Sequence, residues 1–121
     1  MPDQDNADTL WRHRAEMALA TAQQAGQTIT YVELADAAKI PKPNRIHKLT
    51  MWLEDTIRED NAGGKPLRAA LVISRNRGGL PAPGFFMLCG ELGLYRGAVS
   101  GQHAAQFHQT TITDLWRKYN P

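Results

Sequence analysis

The residues of this chain best suited to binding a ligand are the cationic and amide side chains of two short stretches. The first carries Lys42, Asn44, Arg45 and Lys48, and the second is the triplet Arg75-Asn76-Arg77, which precedes two glycines. Lysine and arginine neutralise phosphates, whereas asparagine and arginine hydrogen-bond to base edges. The pattern therefore predicts nucleic-acid binding, with Asn44 and Arg45 at bases and Lys42 and Lys48 at phosphates. The alternative for both stretches is an ordinary solvated surface.

Groups that carry covalent or metal chemistry are few and scattered. Cys89 lies between Leu88 and Gly90 in an apolar segment, which predicts a small buried side chain rather than a nucleophile. The four histidines show neither the i, i+4 spacing of a helical zinc site nor a nearby cysteine. No Ser-His-Asp arrangement and no phosphate-binding Gly-Lys-Thr loop is visible. We therefore expect no catalytic residue, no metal and no cofactor.

Length and composition indicate a small globular protein. A chain of 121 residues is large enough for one packed core and too small for two. No apolar run approaches the roughly 18–20 residues of a membrane helix, and the polar start from Met1 to Asp8 is unlike a secretory signal. With its single cysteine, the chain suits the cytoplasm and predicts no membrane partner. We expect a disordered tail over 1–8 and one domain over 9–121.

The charge is unevenly distributed along the chain. Residues 1–38 hold two arginines against six acidic residues, whereas residues 39–83 hold nine cations against four. The remaining residues, 84–121, hold three cations against two acidic residues. A local excess of cations favours a phosphate-facing surface, although chance clustering on a solvated face would give the same numbers. The middle of the chain is therefore the expected binding region.

Apolar spacing and capping signals predict the elements that position this region. A helix is expected over Thr9–Ala25, and Thr30-Tyr31-Val32-Glu33 reads as the capping box of a short helix that ends at Ala38. The prolines over 40–43 stop that helix. The next helix runs from about Asn44 to Arg58, with its expected buried face formed by Ile46, Leu49, Leu53 and Ile57.

The second half is expected to add a strand, a loop and two helices. Residues 68–74 predict a strand, 75–81 a loop or hairpin tip, 85–92 an apolar helix, and 102–119 a final helix that its threonines divide into two pieces. The expected buried face of the final helix comprises Phe107, Ile112, Leu115, Trp116 and Tyr119. Together these elements predict a mostly helical α/β fold: a winged helix-turn-helix with a small β-sheet and an added C-terminal helix.

Several of these motifs resemble the C-terminal DNA-binding domain of O6-alkylguanine-DNA alkyltransferases and alkyltransferase-like proteins. Thr30-Tyr31-Val32-Glu33-Leu34-Ala35 is similar to the family's T-Y-x-E-L-A segment at the start of its helix-turn-helix. Ile40-Pro41-Lys42-Pro43-Asn44-Arg45 resembles the break that follows, with Arg45 at the position of an exposed arginine. Residues 72–79 resemble the strand and glycine-rich wing. The resemblance implies a DNA-binding winged helix and a nucleotide contact for Tyr31, for which a partly buried structural role is the alternative.

The departure from the family concerns its chemistry. Where the family has Pro-Cys-His-Arg, this chain has Pro66-Leu67-Arg68, so the thiolate needed for alkyl transfer is missing. We therefore expect a small stand-alone bacterial domain that binds nucleic acid without acting on it. One alternative is a protein-interaction adaptor or homodimer that uses Trp11, Trp116 or the Phe85-Phe86 pair. Another is a non-enzymatic sensor of alkylated bases, with a nucleotide-sized pocket beside Tyr31 and Arg45.

Overall fold

A computed structural model describes residues 2–119 of the chain and the side chains of residues 7–118. The protein is mostly helical, as predicted. Its helices and strands are α1 (Pro2–Ala25), β1 (Ile29–Thr30), α2 (Tyr31–Ala38), α3 (Arg45–Ala62), β2 (Val72–Ile73), α4 (Pro83–Glu91) and α5 (Gln102–Tyr119). Helix α1 begins at Pro2 rather than at Thr9, so the expected disordered tail, where it is described, belongs to this helix.

One hydrophobic core joins all five helices. Its largest fully buried side chains include Leu19 of α1, Leu34 of α2, Leu49 of α3 and Phe86 of α4. Each large apolar side chain that is buried in this way contributes roughly 1.5–3 kcal/mol. Cys89 is fully buried in the same core, as predicted.

Over residues 2–119, no helix combines the length and the apolar character needed to cross a membrane.

The capping box at the start of α2 is confirmed. The Glu33 amide donates to the Thr30 hydroxyl at 3.1 Å, and the Thr30 amide donates to the Glu33 carboxylate at 2.9 Å. In the following helix, Leu49, Leu53 and Ile57 are buried as expected, but Ile46 is 43% exposed. Ile46 differs because the first turn of α3 borders an open groove beside Val32 rather than the core.

The strand predicted over 68–74 is wrong in its first half. Arg68–Leu71 forms a 3-10 turn, and only Val72–Ile73 pairs, in parallel, with Ile29–Thr30 of β1. Two contacts explain the turn. The Asp60 carboxylate at the end of α3 accepts from the Arg68 amide at 3.0 Å, and it also accepts from the Arg68 guanidinium. Because β2 is only two residues long, its edge is too short for a longer strand to pair with it.

Helix α5 is continuous rather than two pieces. The Thr111 hydroxyl donates to the Phe107 carbonyl at 2.8 Å, so this threonine bonds back onto its own helix without breaking it. Ile112 and Leu115 are buried, whereas Phe107 is only partly buried and packs against the core. The side chain of Tyr119, also expected to be buried, lies outside the described residues.

Candidate nucleic-acid interface

The loop after β2 is short and internally bonded. The Ser74 amide donates to the Leu80 carbonyl at 2.9 Å, and the Gly79 amide donates back to the Ser74 carbonyl at 3.2 Å. Arg75–Arg77 form a single 3-10 turn between these two ends. Gly78 and Gly79 have φ angles of 66° and 85°, where a side chain would be strained, which explains the paired glycines. The loop therefore holds the triplet 75–77 in one defined arrangement.

Arg77 is not a free cation at the tip of this loop. Its Nε donates to the Pro81 carbonyl at 2.9 Å, and its Nη2 donates to the Val99 carbonyl. The guanidinium thus ties the loop to the segment between α4 and α5. Two of its donors are thus bonded to backbone carbonyls, which supports a role in positioning the loop. Contact of Arg77 with nucleic acid stays a prediction.

Arg75 and Asn76 remain at the surface. Arg75 is 78% exposed at its side chain, and its Nη2 approaches the Glu33 carboxylate at 3.5 Å. Together with Ile73 and Ser74, these two residues line one wall of a groove of about 350 Å³. The first turn of α2 forms the other wall. The structure therefore leaves Arg75 and Asn76 available to a ligand.

Tyr31 belongs to this groove, but its hydroxyl is already bonded. The hydroxyl oxygen accepts a hydrogen bond from the Ala82 amide at 2.9 Å, which ties the start of α2 to the segment before α4. Burial of the ring raises the pKa of this tyrosine above its ordinary value. The structural alternative for Tyr31 is thus supported, and the residue also lines the groove beside Arg75.

Arg45 also makes contacts within the fold. Its guanidinium donates to the Ile40 carbonyl at 2.7 Å, the Ala35 carbonyl at 2.9 Å and the Asp36 carboxylate at 3.0 Å. The two carbonyls lie at and just beyond the end of α2, where backbone acceptors lack partners within the helix. Arg45 therefore connects the end of α2 to the start of α3, which supports a structural role, and the expectation that it reads a base edge stays a prediction.

The remaining residues at the start of α3 fall into two groups. Lys48 donates from its ammonium to the Pro41 carbonyl at 3.0 Å, so this cation is partly occupied by the break between the helices. Lys42 and Asn44 are exposed, and Asn44, at φ 61°, makes no side-chain cap on α3. His47 is exposed beside them.

Val32 connects the two candidate surfaces. It is 60% exposed and lines both the groove beside Arg75 and a second groove, of about 580 Å³, formed by residues 42–47 at the start of α3. The grooves that the two separated stretches of sequence line therefore adjoin at Val32. Sequence reasoning missed Val32 and Ile46 as members of these grooves, because Ile46 falls on the expected buried face of α3 and an apolar side chain such as Val32 carries no signal for nucleic-acid binding.

Glu33 is the main anionic group in the groove beside Arg75. Its capping bonds, first of all that from the Thr30 amide, lower the pKa of its carboxylate, so it stays ionised at neutral pH. The partial pairing of Glu33 with Arg75 reduces the repulsion that this carboxylate would exert on a phosphate. Tyr31 and Arg45, expected beside one nucleotide-sized pocket, line two different grooves: Tyr31 the groove beside Arg75, and Arg45 the groove at the start of α3.

Other charged or aromatic clusters serve the fold. Arg68 pairs with Asp60 at 2.9 Å and with Glu59 at 3.2 Å, and it also pairs with Glu16. The hydrogen bonds that the Arg68 guanidinium donates to the Asp60 carboxylate raise the pKa of this arginine. Within the described residues, no group of three or more potential metal ligands occurs.

The aromatic residues suggested for a partner interface are mostly in the core. Trp11, Phe85 and Phe86 are each at most 5% exposed. Trp116 is partly buried and packs against the same core. Trp11, Phe85 and Phe86 are therefore core side chains, whereas the adaptor or homodimer alternative itself stays a prediction.

No protein-family profile, curated protein or solved structure matches this chain. The resemblance to the alkyltransferase domain thus rests on the motif residues themselves.

Proposed function

We propose that this chain is a small, non-catalytic nucleic-acid-binding protein with winged-helix architecture and a preference for DNA. The observation that carries the proposal is the position of Val32, which borders both the groove beside Arg75 and the groove at the start of α3. Exposed cations and amides from two distant stretches of chain thereby line adjoining grooves, which together are the proposed binding face. A polyanion that crosses this face meets both stretches at once.

The contacts divide into phosphate binding and base reading. Lys42 and Arg75, the exposed cations of the two stretches, neutralise phosphates on either side of Val32. Asn44 and Asn76 are exposed amides, which match the donor and acceptor pattern of adenine. Arg45, Arg77 and Lys48 hold these residues in place through the backbone carbonyls that they contact.

The test measures binding to a mixed-sequence DNA duplex by fluorescence anisotropy at a series of salt concentrations. We expect log K to fall linearly with log salt concentration, and the double variant Lys42→Ala/Arg75→Ala to reduce the slope by about 2. The matched control is Lys65→Ala/Lys118→Ala, which removes the same charge from a different groove, one that borders α1 and α5. This control should leave the slope unchanged.

Two results would overturn the proposal. One is binding that does not respond to salt. The other is an equal loss of slope in both double variants, because net charge rather than this face would then account for the affinity. The same titration with an RNA duplex tests the preference for DNA.

A further inference from the structure

Two exposed apolar side chains lie in the middle of the proposed binding face. Val32 and Ile46 line the same groove as Lys42, Asn44 and His47. They are 60% and 43% exposed, respectively. Single exposed apolar residues are ordinary, and Met17 of α1, at 58%, is an example. Two such residues within one cationic groove indicate a ligand that carries an apolar group, which a phosphate lacks.

The apolar group that a DNA duplex exposes at its base edges is the C5 methyl of thymine, in the major groove. We propose that Val32 and Ile46 contact thymine methyl groups in the major groove. This inference rests on the proposed function and specifies its ligand: duplex DNA, read in part by its methyl groups. Phosphates would bind to the flanking cations, Lys42 and Arg75.

The position of the two residues fits this mode of contact. Ile46 is the second residue of α3 and Val32 is the second residue of α2, so both project from first helical turns. In helix-turn-helix proteins the first turn of the second helix reaches the base edges. The later part of α3 carries Glu54, Asp55 and Glu59, which would repel the backbone and confine contact to the first turn.

A single-stranded ligand is less well matched. Proteins that bind unpaired bases stack them on exposed aromatic rings. Within the described side chains that line the two grooves, the aromatic residues are Tyr31 and His47, and the Tyr31 hydroxyl is held by the Ala82 amide. Aliphatic side chains contact a methyl group but offer no stacking surface.

The experiment compares duplexes that differ only in C5 methyl groups. Binding is measured by anisotropy at low salt to short hairpin duplexes of alternating A·T, alternating A·U, alternating G·C, and G·C with 5-methylcytosine. We expect A·T to bind more tightly than A·U by about fourfold for each contacted methyl group. Methylation of cytosine, which places the same group in the same groove, should strengthen binding to G·C.

Variants assign the effect to the two side chains. Val32→Thr exchanges a methyl group for a hydroxyl at nearly the same size, and Ile46→Thr makes the same exchange with the loss of one carbon. Both should reduce the ratio between A·T and A·U toward one. Met17→Thr, a change at an equally exposed residue of α1, should keep the ratio. Circular dichroism of each variant checks that the fold is retained.

The outcomes separate this inference from the proposed function. Salt-dependent binding that is equal for A·T and A·U overturns the methyl contact and leaves the proposed function standing. A ratio that persists in the double variant Val32→Thr/Ile46→Thr also overturns it. Absence of salt-dependent binding to all four duplexes overturns both. Loss of affinity for every duplex in that double variant, without a methyl effect, would indicate an apolar wedge in the minor groove and contradict the inference.

Discussion

Replacement of Arg45 by alanine tests whether this side chain serves the fold rather than a ligand. The substitution removes hydrogen bonds to the Ile40 and Ala35 carbonyls, at 2.7 Å and 2.9 Å, and an ion pair with Asp36. A hydrogen bond from a charged donor is worth roughly 1.5–3 kcal/mol. The side chain is 27% exposed, and the Ala35 carbonyl keeps backbone partners in the Lys39 and Ile40 amides.

We therefore expect Arg45→Ala to lower the free energy of unfolding by about 2 kcal/mol, with the exposed Asp36 pair contributing little of it. Urea unfolding followed by tryptophan fluorescence measures the change. The matched control is Arg58→Ala on the same helix, where an exposed i, i+3 pair with Asp55 at 3.4 Å should be worth less than about 0.5 kcal/mol. Arg45→Lys keeps the positive charge but loses the planar guanidinium, whose N–H groups reach several acceptors at once. It should therefore recover only part of the lost free energy of unfolding.

A loss for Arg45→Ala no larger than that for Arg58→Ala would refute this reasoning. In that case the Ile40 carbonyl would be satisfied by water and the Ala35 carbonyl by the Lys39 and Ile40 amides, and the guanidinium would be free to contact a base. A full recovery in Arg45→Lys would show instead that charge at this position, rather than the geometry of the fork, stabilises the end of α2.

Three further predictions concern the core and one glycine. Burial raises the pKa of Cys89 to about 11, so a disulfide reagent at pH 8 should react with this thiol only as fast as the protein unfolds. Burial lowers the pKa of His108, so the folded state takes up fewer protons than the unfolded chain once the pH falls through about 6.5. Urea titrations should show stability falling from pH 8 to pH 5, and falling less in His108→Gln. In Gly97→Ala, at φ 152°, the new Cβ would lie 2.7 Å from the Tyr95 hydroxyl. Thermal unfolding should show a loss of about 1–3 kcal/mol, whereas Gly90→Ala, with 3.6 Å to its nearest atom, should be nearly neutral.

Short-range signals in the sequence predicted helix α2 and its surroundings well. The capping box of Thr30 and Glu33 is a contact between residues three apart, and the break that follows depends on prolines within a few residues of Ala38. Such features are visible in the sequence because both partners lie in one short segment. Leu49, Leu53 and Ile57, three of the four residues expected on the buried face of α3, were predicted correctly for the same reason.

Long-range contacts account for what the sequence did not reveal. The apolar run at 69–73 has the composition of a strand, but the bonds between Asp60 and Arg68 bend its first residues into a 3-10 turn. Arg45 and Arg77 both read as surface cations, because their acceptors are backbone carbonyls at Ile40 and Val99, which no side-chain pattern marks. The exposure of Ile46 was likewise not visible in the sequence, because it depends on where the hydrophobic core ends.

The number of cations that can bind phosphate is smaller in the fold than in the sequence. The two candidate stretches contain five lysines and arginines, and three of them, Arg45, Lys48 and Arg77, donate to backbone carbonyls. Lys42 and Arg75 are then the cations that approach a phosphate without losing such a bond. At about 0.9 per neutralised phosphate, this face gives a salt slope near −1.8, whereas all five cations would give about −4.5. A measured slope near the larger value would mean that the bound arginines leave their carbonyls, and binding would then loosen the very contacts that fix α2, α3 and the loop after β2.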